Sequence, residues 1–184
     1  MPEAHVHVDP SNKKVALFIA VLALVLAFAE TLGKGSQTSA LASHIEASNL
    51  WAFFQAKTIR QTTVRTAAEE MEAQFGNRAP EAVTKQVEAW KKTAERYQSE
   101  PETNEGRKEL MVRAKEKEAK RDRAMAAYHN YEIAPAAVQI AIVLASAQII
   151  TGVAALLWIA YGLGAIGVAF SLIGFFWPTA VHLF

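Results

Sequence analysis

The sequence has no cysteine. A disulfide framework is excluded, and so is any Cys/His nucleophile pair. It has no appreciable excess of either charge, the net value being +1. No strongly basic surface speaks for nucleic acid. The local deficits are more telling. Residues 15–29 carry no charge at all, and neither do residues 133–184. Of the 37 charged residues, 32 lie between Lys34 and Glu132. Apolar residues make up 52% of the chain. A charge-dense middle between two uncharged apolar blocks predicts an all-α integral membrane protein. It excludes a soluble enzyme with one water-facing fold.

The segments follow from length. Residues 1–14 form a polar tail. Residues 15–33 form a first span of nineteen residues, about 28 Å of helix. Its basic start and Ala27-Phe28-Ala29 imitate a secretory signal, but the expectation is an uncleaved anchor. The block from Ile133 to Trp177 is twice a single span and must turn back near Thr151-Gly152. This predicts spans over residues 133–150 and 154–177, with a tail over 178–184. Trp158 and Trp177 lie where interfacial anchors belong.

The middle, residues 34–132, reads as a helical stalk. Residues 36–75 contain neither Pro nor Gly. Leu50, Phe54, Lys57, Gln61, Val64, Ala68, Met71 and Phe75 recur four and three apart, a heptad seam with two polar members at its centre. Gly76-Asn77 ends this helix, and Pro80 opens the next. Val83, Val87, Trp90, Ala94 and Tyr97 repeat the spacing. Pro101 to Gly106 is a break. A third helix carries Leu110, Ala114, Ala124, Tyr128 and Tyr131 on one stripe. Glu81/Lys85, Glu88/Lys92, Glu109/Arg113 and Glu116/Lys120 are spaced as i,i+4 pairs. The return path must match the outgoing helix, so the stalk is expected to be antiparallel and coiled-coil-like.

Motifs for chemistry are few. Gly162-Leu163-Gly164-Ala165-Ile166-Gly167 matches a dinucleotide fingerprint, but it lies within an apolar span and no acidic residue follows. Helical spacing explains it better. Ala160, Gly164, Gly167, Ser171 and Gly174 make one smooth face for close helix packing. Ala16, Ala20, Ala23, Ala27 and Glu30 make another on the first span. Glu30 ends that stripe, and a carboxylate at a packed membrane face is costly unless paired. Lys34, one turn on, is placed to pair with it; the alternative is an interfacial Glu30 that reaches water and caps the span. Gln139, Ser146 and Gln148 suit hydrogen bonds between helices. A transport path would normally need more ionisable groups.

His5 and His7, with Glu3 and Asp9, do not make a closed metal site, and His44, His129 and His182 lack ligand-spaced companions. No catalytic set, metal, cofactor or small-molecule substrate is expected, and the chain is not expected to be an enzyme.

Residues 46–61 are the most distinctive run. Glu46, Asn49, Lys57 and Arg60 fall within about 80° of helix arc, overlapping the seam. Polar groups there fix register and partner. Trp51, Phe53 and Phe54 widen the apolar surface. Glu46, Asn49, Trp51, Phe54, Gln55, Lys57 and Arg60 are therefore the candidate interaction residues. Ala20, Ala23, Ala27, Glu30, Gly164, Gly167 and Ser171 are the candidate membrane-packing residues. A second apolar strip, Leu41, Ile45, Ala52 and Ile59, lies nearly opposite the seam. One returning helix cannot cover both sides. The chain is thus expected to pair with another copy or to join a larger membrane complex, with lipid as its other surroundings.

The run Glu46-Ala47-Ser48-Asn49, Trp51, Gln55-Ala56-Lys57, Ile59-Arg60-Gln61 resembles the signature of a bacterial membrane-protein family known only as domain of unknown function 4337. The order of segments fits over nearly the whole chain. The resemblance implies a first span, a helical middle and a closing hydrophobic pair, and implies no activity. The turn Thr151-Gly152-Val153 lacks the basic residues that relatives often carry there. Orientation must come from this chain's own charges. Lys13-Lys14 favours a cytoplasmic N-terminus, whereas Lys34, Lys115, Lys117, Lys120, Arg121 and Arg123 favour the reverse. The first span usually dominates. The expectation is a multi-pass protein of the bacterial inner membrane with a periplasmic stalk.

The function expected is a non-catalytic, membrane-anchored helical scaffold or accessory subunit. The alternative is a permeation or signalling component with Glu30 as an ionisable switch.

Overall fold

A computed structural model describes residues 10–181. His5, His7 and His182 lie outside the described residues. Among those described, the chain forms four α-helices and no strand: α1 Pro10–Phe75, α2 Glu81–Gln98, α3 Arg107–Thr151 and α4 Ala154–Phe176. A short 3-10 turn, Gly76–Arg78, follows α1. The class is all-helical. Three helices, α1, α3 and α4, are long and apolar enough to cross a membrane.

The helix ends have local causes. Gly76 takes φ +50°, the left-handed conformation that closes a helix. Pro80 then caps α2, its carbonyl accepting from the Val83 and Thr84 amides at 2.9 and 3.0 Å. Gly106 does the same for α3, accepting from Leu110 N at 2.8 Å. Gly152, with φ +69°, donates to the Gln148 carbonyl at 2.9 Å and lets the chain turn from α3 into α4. Pro135 lies inside α3 and denies the Tyr131 carbonyl its usual partner.

The chain divides into two compact units: Met1–Ala40 with Asp122–Phe184, and Leu41–Arg121. The first holds α4 and portions of α1 and α3. Its core joins Val15 and Leu22 of α1, Val138, Ala141 and Ala145 of α3, and Ala160 of α4. The smooth face of α4 is turned inward: Ala160, Gly164, Gly167 and Gly174 are buried, and Ser171 is half-buried. The glycines are filled by their neighbours. A methyl on Gly164 would meet Leu22 at 3.0 Å, and one on Gly174 the Tyr131 ring at 3.1 Å.

The smooth face of α1 is not used in the same way. Ala16, Ala20, Ala23, Ala27 and Glu30 are all exposed, and the buried face is Val15, Leu22, Ala29 and Gly33. Within the chain the α4 stripe therefore meets Leu22 and not the α1 alanines. Packing explains the choice. Alanine set against glycine would leave space that neither fills, whereas the Leu22 side chain seats in the α4 glycine stripe. Glu30 does not depend on Lys34 for a partner. It accepts a 3.4 Å hydrogen bond from Gln139 of α3.

The second unit is an antiparallel helical hairpin two helices thick. Its outgoing side is α1 from Leu41 to Phe75. Its return side is broken in two. Lys91 of α2 meets Glu72 at 2.5 Å, and the Ala94 carbonyl of α2 accepts from Gln61 at 3.0 Å. Then α3 takes over. Arg107 meets Thr58 at 2.9 Å, and Glu118 accepts from Trp51 Nε1 at 2.9 Å. So within Leu41–Phe75, α2 covers the part nearer Phe75 and α3 the part nearer Leu41, end to end. No residue of the α1 seam, Leu50 to Phe75, is exposed. From the facing side, Val87, Ala94, Leu110 and Ala114 are buried.

Of the expected i,i+4 pairs, Glu81–Lys85 forms at 2.6 Å. Glu109 and Arg113 bond elsewhere: Glu109 to Ser99 and the Glu100 amide, Arg113 to the Asn104 carbonyl.

Candidate functional site

The joint between α2 and α3 gathers the polar groups of the hairpin. Both polar members of the α1 seam lie there. A lysine in a seam must find an anion or stay unpaired in low dielectric. Lys57 finds Glu100, at 3.3 Å, in the turn that ends α2. Its ammonium also stands 5.5 Å from the Phe53 ring centre and 5.3 Å from that of Tyr97, so aromatic faces complete its surroundings. Arg96 approaches the other oxygen of Glu100 at 3.8 Å.

One turn along α1, Gln61 donates to the Ala94 carbonyl and, at 3.1 Å, to Gln98 Oε1. Arg107, the first residue of α3, ties the three segments together. Its guanidinium donates to Thr58 Oγ1 at 2.9 Å, to Gln61 Oε1, and to Gln98 Oε1 at 2.9 Å. It lies 5.0 Å over the Phe54 ring.

Glu109 closes the turn. Its two oxygens accept from the Ser99 hydroxyl at 2.6 Å and the Glu100 amide at 3.1 Å. The Ser99 bond, helped by the Glu100 amide, holds this carboxyl below the ordinary value of 4.5. Glycine at 106 is required by space. A methyl there would run into Glu109, the Glu100 amide and the Ser99 Cα.

The candidate interaction residues separate into two groups. Glu46, Trp51, Phe54 and Lys57 serve contacts within the chain. Glu46 is ion-paired with Lys117, whose hydrogen bond and charge lower its pKa. Asn49, Gln55 and Arg60 are exposed. Trp51, Phe53 and Phe54 are each half-buried by this chain. The reason is the return helix. Glu118 takes the indole N–H, and Arg107 covers Phe54.

Sequence reasoning missed Glu100, Arg107 and Gln98, and gave Glu109 the partner Arg113 in place of Ser99 and the Glu100 amide. One signal was present: two polar residues in an apolar seam, and a Pro-to-Gly break of matching distance on the return path.

In the first unit, Asn130 was also missed. It is fully buried on α3, and its amide donates to the Ala126 carbonyl at 2.9 Å and the Pro178 carbonyl at 3.0 Å. It thereby fastens the chain just after α4.

The chemistry of the joint is mutual saturation. Cations, carboxylates and amides are directed at one another. The model of one protein family, described as domain of unknown function (DUF4337), matches residues 11–177. No curated protein and no solved structure matches the chain.

Proposed function

The chain belongs to the DUF4337 family, a family of unknown function, and from that premise we propose a non-catalytic, membrane-anchored helical scaffold or accessory subunit of a membrane assembly. The observation that carries this reading is the joint. Lys57, Gln61, Gln98, Glu100, Arg107 and Glu109 bond to one another or to nearby backbone. A set so closed fixes a helical hairpin in one register.

The apolar windows of α1, α3 and α4 support an anchor of three spans. The exposed strip Leu41, Ile45, Ala52 and Ile59 supports an oligomer or a partner subunit. The location proposed is the bacterial inner membrane, with the coiled-coil-like hairpin periplasmic. Purification in mild detergent, with mass determination and identification of co-purifying chains, tests the assembly. Release from membranes by carbonate overturns the anchor. A reporter at Glu102 active only in the cytoplasm overturns the orientation.

The second reading, an ionisable switch at Glu30, is favoured by its exposure and by the length of its bond from Gln139, 3.4 Å. Glu30→Gln decides between them. Lost function with intact assembly supports the switch, and unchanged function supports the scaffold.

A further inference from the structure

The hairpin leaves a second heptad seam uncovered. On the back of α1, Leu41, Ser48, Gln55 and Thr62 alternate with Ile45, Ala52, Ile59 and Thr66 at steps of four and three. All eight are exposed, Leu41 by 60%, Ile45 by 50% and Ile59 by 67%. At 100° per residue, this stripe lies about 180° from the seam closed by α2 and α3. None of the eight carries a charge. The next position of the repeat, Glu69, is charged and bonded to Arg65, so the stripe ends there.

The geometry points to a second copy of this chain as the occupant, docked parallel and in register along this stripe. The inference deepens the scaffold reading and rests on it for the setting. Three features select a copy over another protein. An uncharged face meets itself without like-charge repulsion and offers no charge to an acidic or basic partner. Ile45, Ala52, Ile59 and Thr66 hold the position at which β-branched residues favour two parallel strands, and three of the four are β-branched. In a parallel pair, Leu41, Ile45 and Ile59 each meet their own counterpart. An antiparallel pair would set Leu41 and Ile45 against Thr62 and Thr66. Ser48 and Gln55 would face their counterparts across the two-fold axis, and polar pairs at such positions fix the register.

Single cysteines test this, since the chain has none of its own. Ser48→Cys and Gln55→Cys should each give a disulfide-linked species of twice the mass in oxidised native membranes. Lys92→Cys, exposed on α2, should not. Ile45→Glu with Ile59→Glu should halve the mass in mild detergent and leave the helical circular-dichroism signal unchanged, because both side chains already face outward from their own chain. Preferred linkage of Leu41→Cys to Thr66→Cys overturns the parallel register. A wild-type mass of one chain, with freely reactive thiols in the Ser48→Cys and Gln55→Cys variants, overturns self-association. Protection of those thiols by a different co-purifying protein overturns the second copy while leaving the scaffold reading standing. Release by carbonate overturns the membrane setting alone.

Discussion

Lys57 and Glu100 meet at 3.3 Å where the return side of the hairpin is broken, the lysine side chain only 7% exposed and the glutamate 20%. One residue comes from the last third of a 66-residue helix, the other from the turn after α2. Their contact sets which residue of α1 faces the handover from α2 to α3.

Breaking that pair one partner at a time should be costly. Glu100→Gln leaves an ammonium beside Phe53 and Tyr97 with no counter-charge. Lys57→Met leaves Glu100 with the longer, 3.8 Å contact to the exposed Arg96. Each change should destabilise the hairpin by about 1–3 kcal/mol. The double variant should lose less than the sum, with a coupling of at least about 0.5 kcal/mol. Thermal unfolding followed by circular dichroism in detergent measures the cycle. Strict additivity would refute the pairing.

Gly106→Ala should destabilise by about 1–3 kcal/mol through overpacking at the turn. The Ser99 Cα would lie 2.7 Å from the new methyl. Gly35→Ala, where a methyl meets nothing within 4 Å, is the control and should be neutral or stabilising. Equal melting temperatures for the Gly106 variant and wild type would refute the tight turn.

Acid should loosen the same turn. The Glu109 carboxyl is depressed first by the Ser99 hydroxyl and then by the Glu100 amide. A depressed folded value stabilises above the unfolded one, near 4.5, and that stability is lost as pH falls through the folded value. The melting temperature should therefore fall below about pH 4.5, and Glu109→Gln should flatten the slope. Glu46, depressed by Lys117, contributes in the same direction and persists in that variant. An unchanged slope would sink the role given to Glu109.

The α4 glycines should respond unequally. A methyl at 167 would press on Val138 and approach the Ala134 carbonyl at 3.1 Å, whereas one at 162 meets nothing within 4 Å. Gly167→Ala should lower the melting temperature in detergent, and Gly162→Ala should not. The reverse order would contradict the packing of α4 on α3.

Periodicity made the helices legible. The uncharged segments, the seam from Leu50 to Phe75 and the stops at Gly76, Pro80, Pro101 and Gly152 are local features, and local chemistry decides helix and turn. The glycine face of α4 was legible for the same reason. Periodicity cannot say which of two similar faces a neighbour will cover. That is why Ala20, Ala23 and Ala27 turned outward while Leu22 turned in. It was equally silent on the aromatic run, because half-burial of Trp51 depends on Glu118, sixty-seven residues away.

By itself, then, the sequence determined the helical class, the three apolar stretches and the two stripes on α1, since each is a property of spacing along one segment. Tertiary structure decided which stripe the chain closes with its own return helices and where the break in that return falls. It also paired Lys57 with Glu100, Arg107 with Gln61 and Glu30 with Gln139. The physical reason is that pairing energies act through space. A buried charge selects its partner by distance after folding, and no interval along the chain encodes that distance.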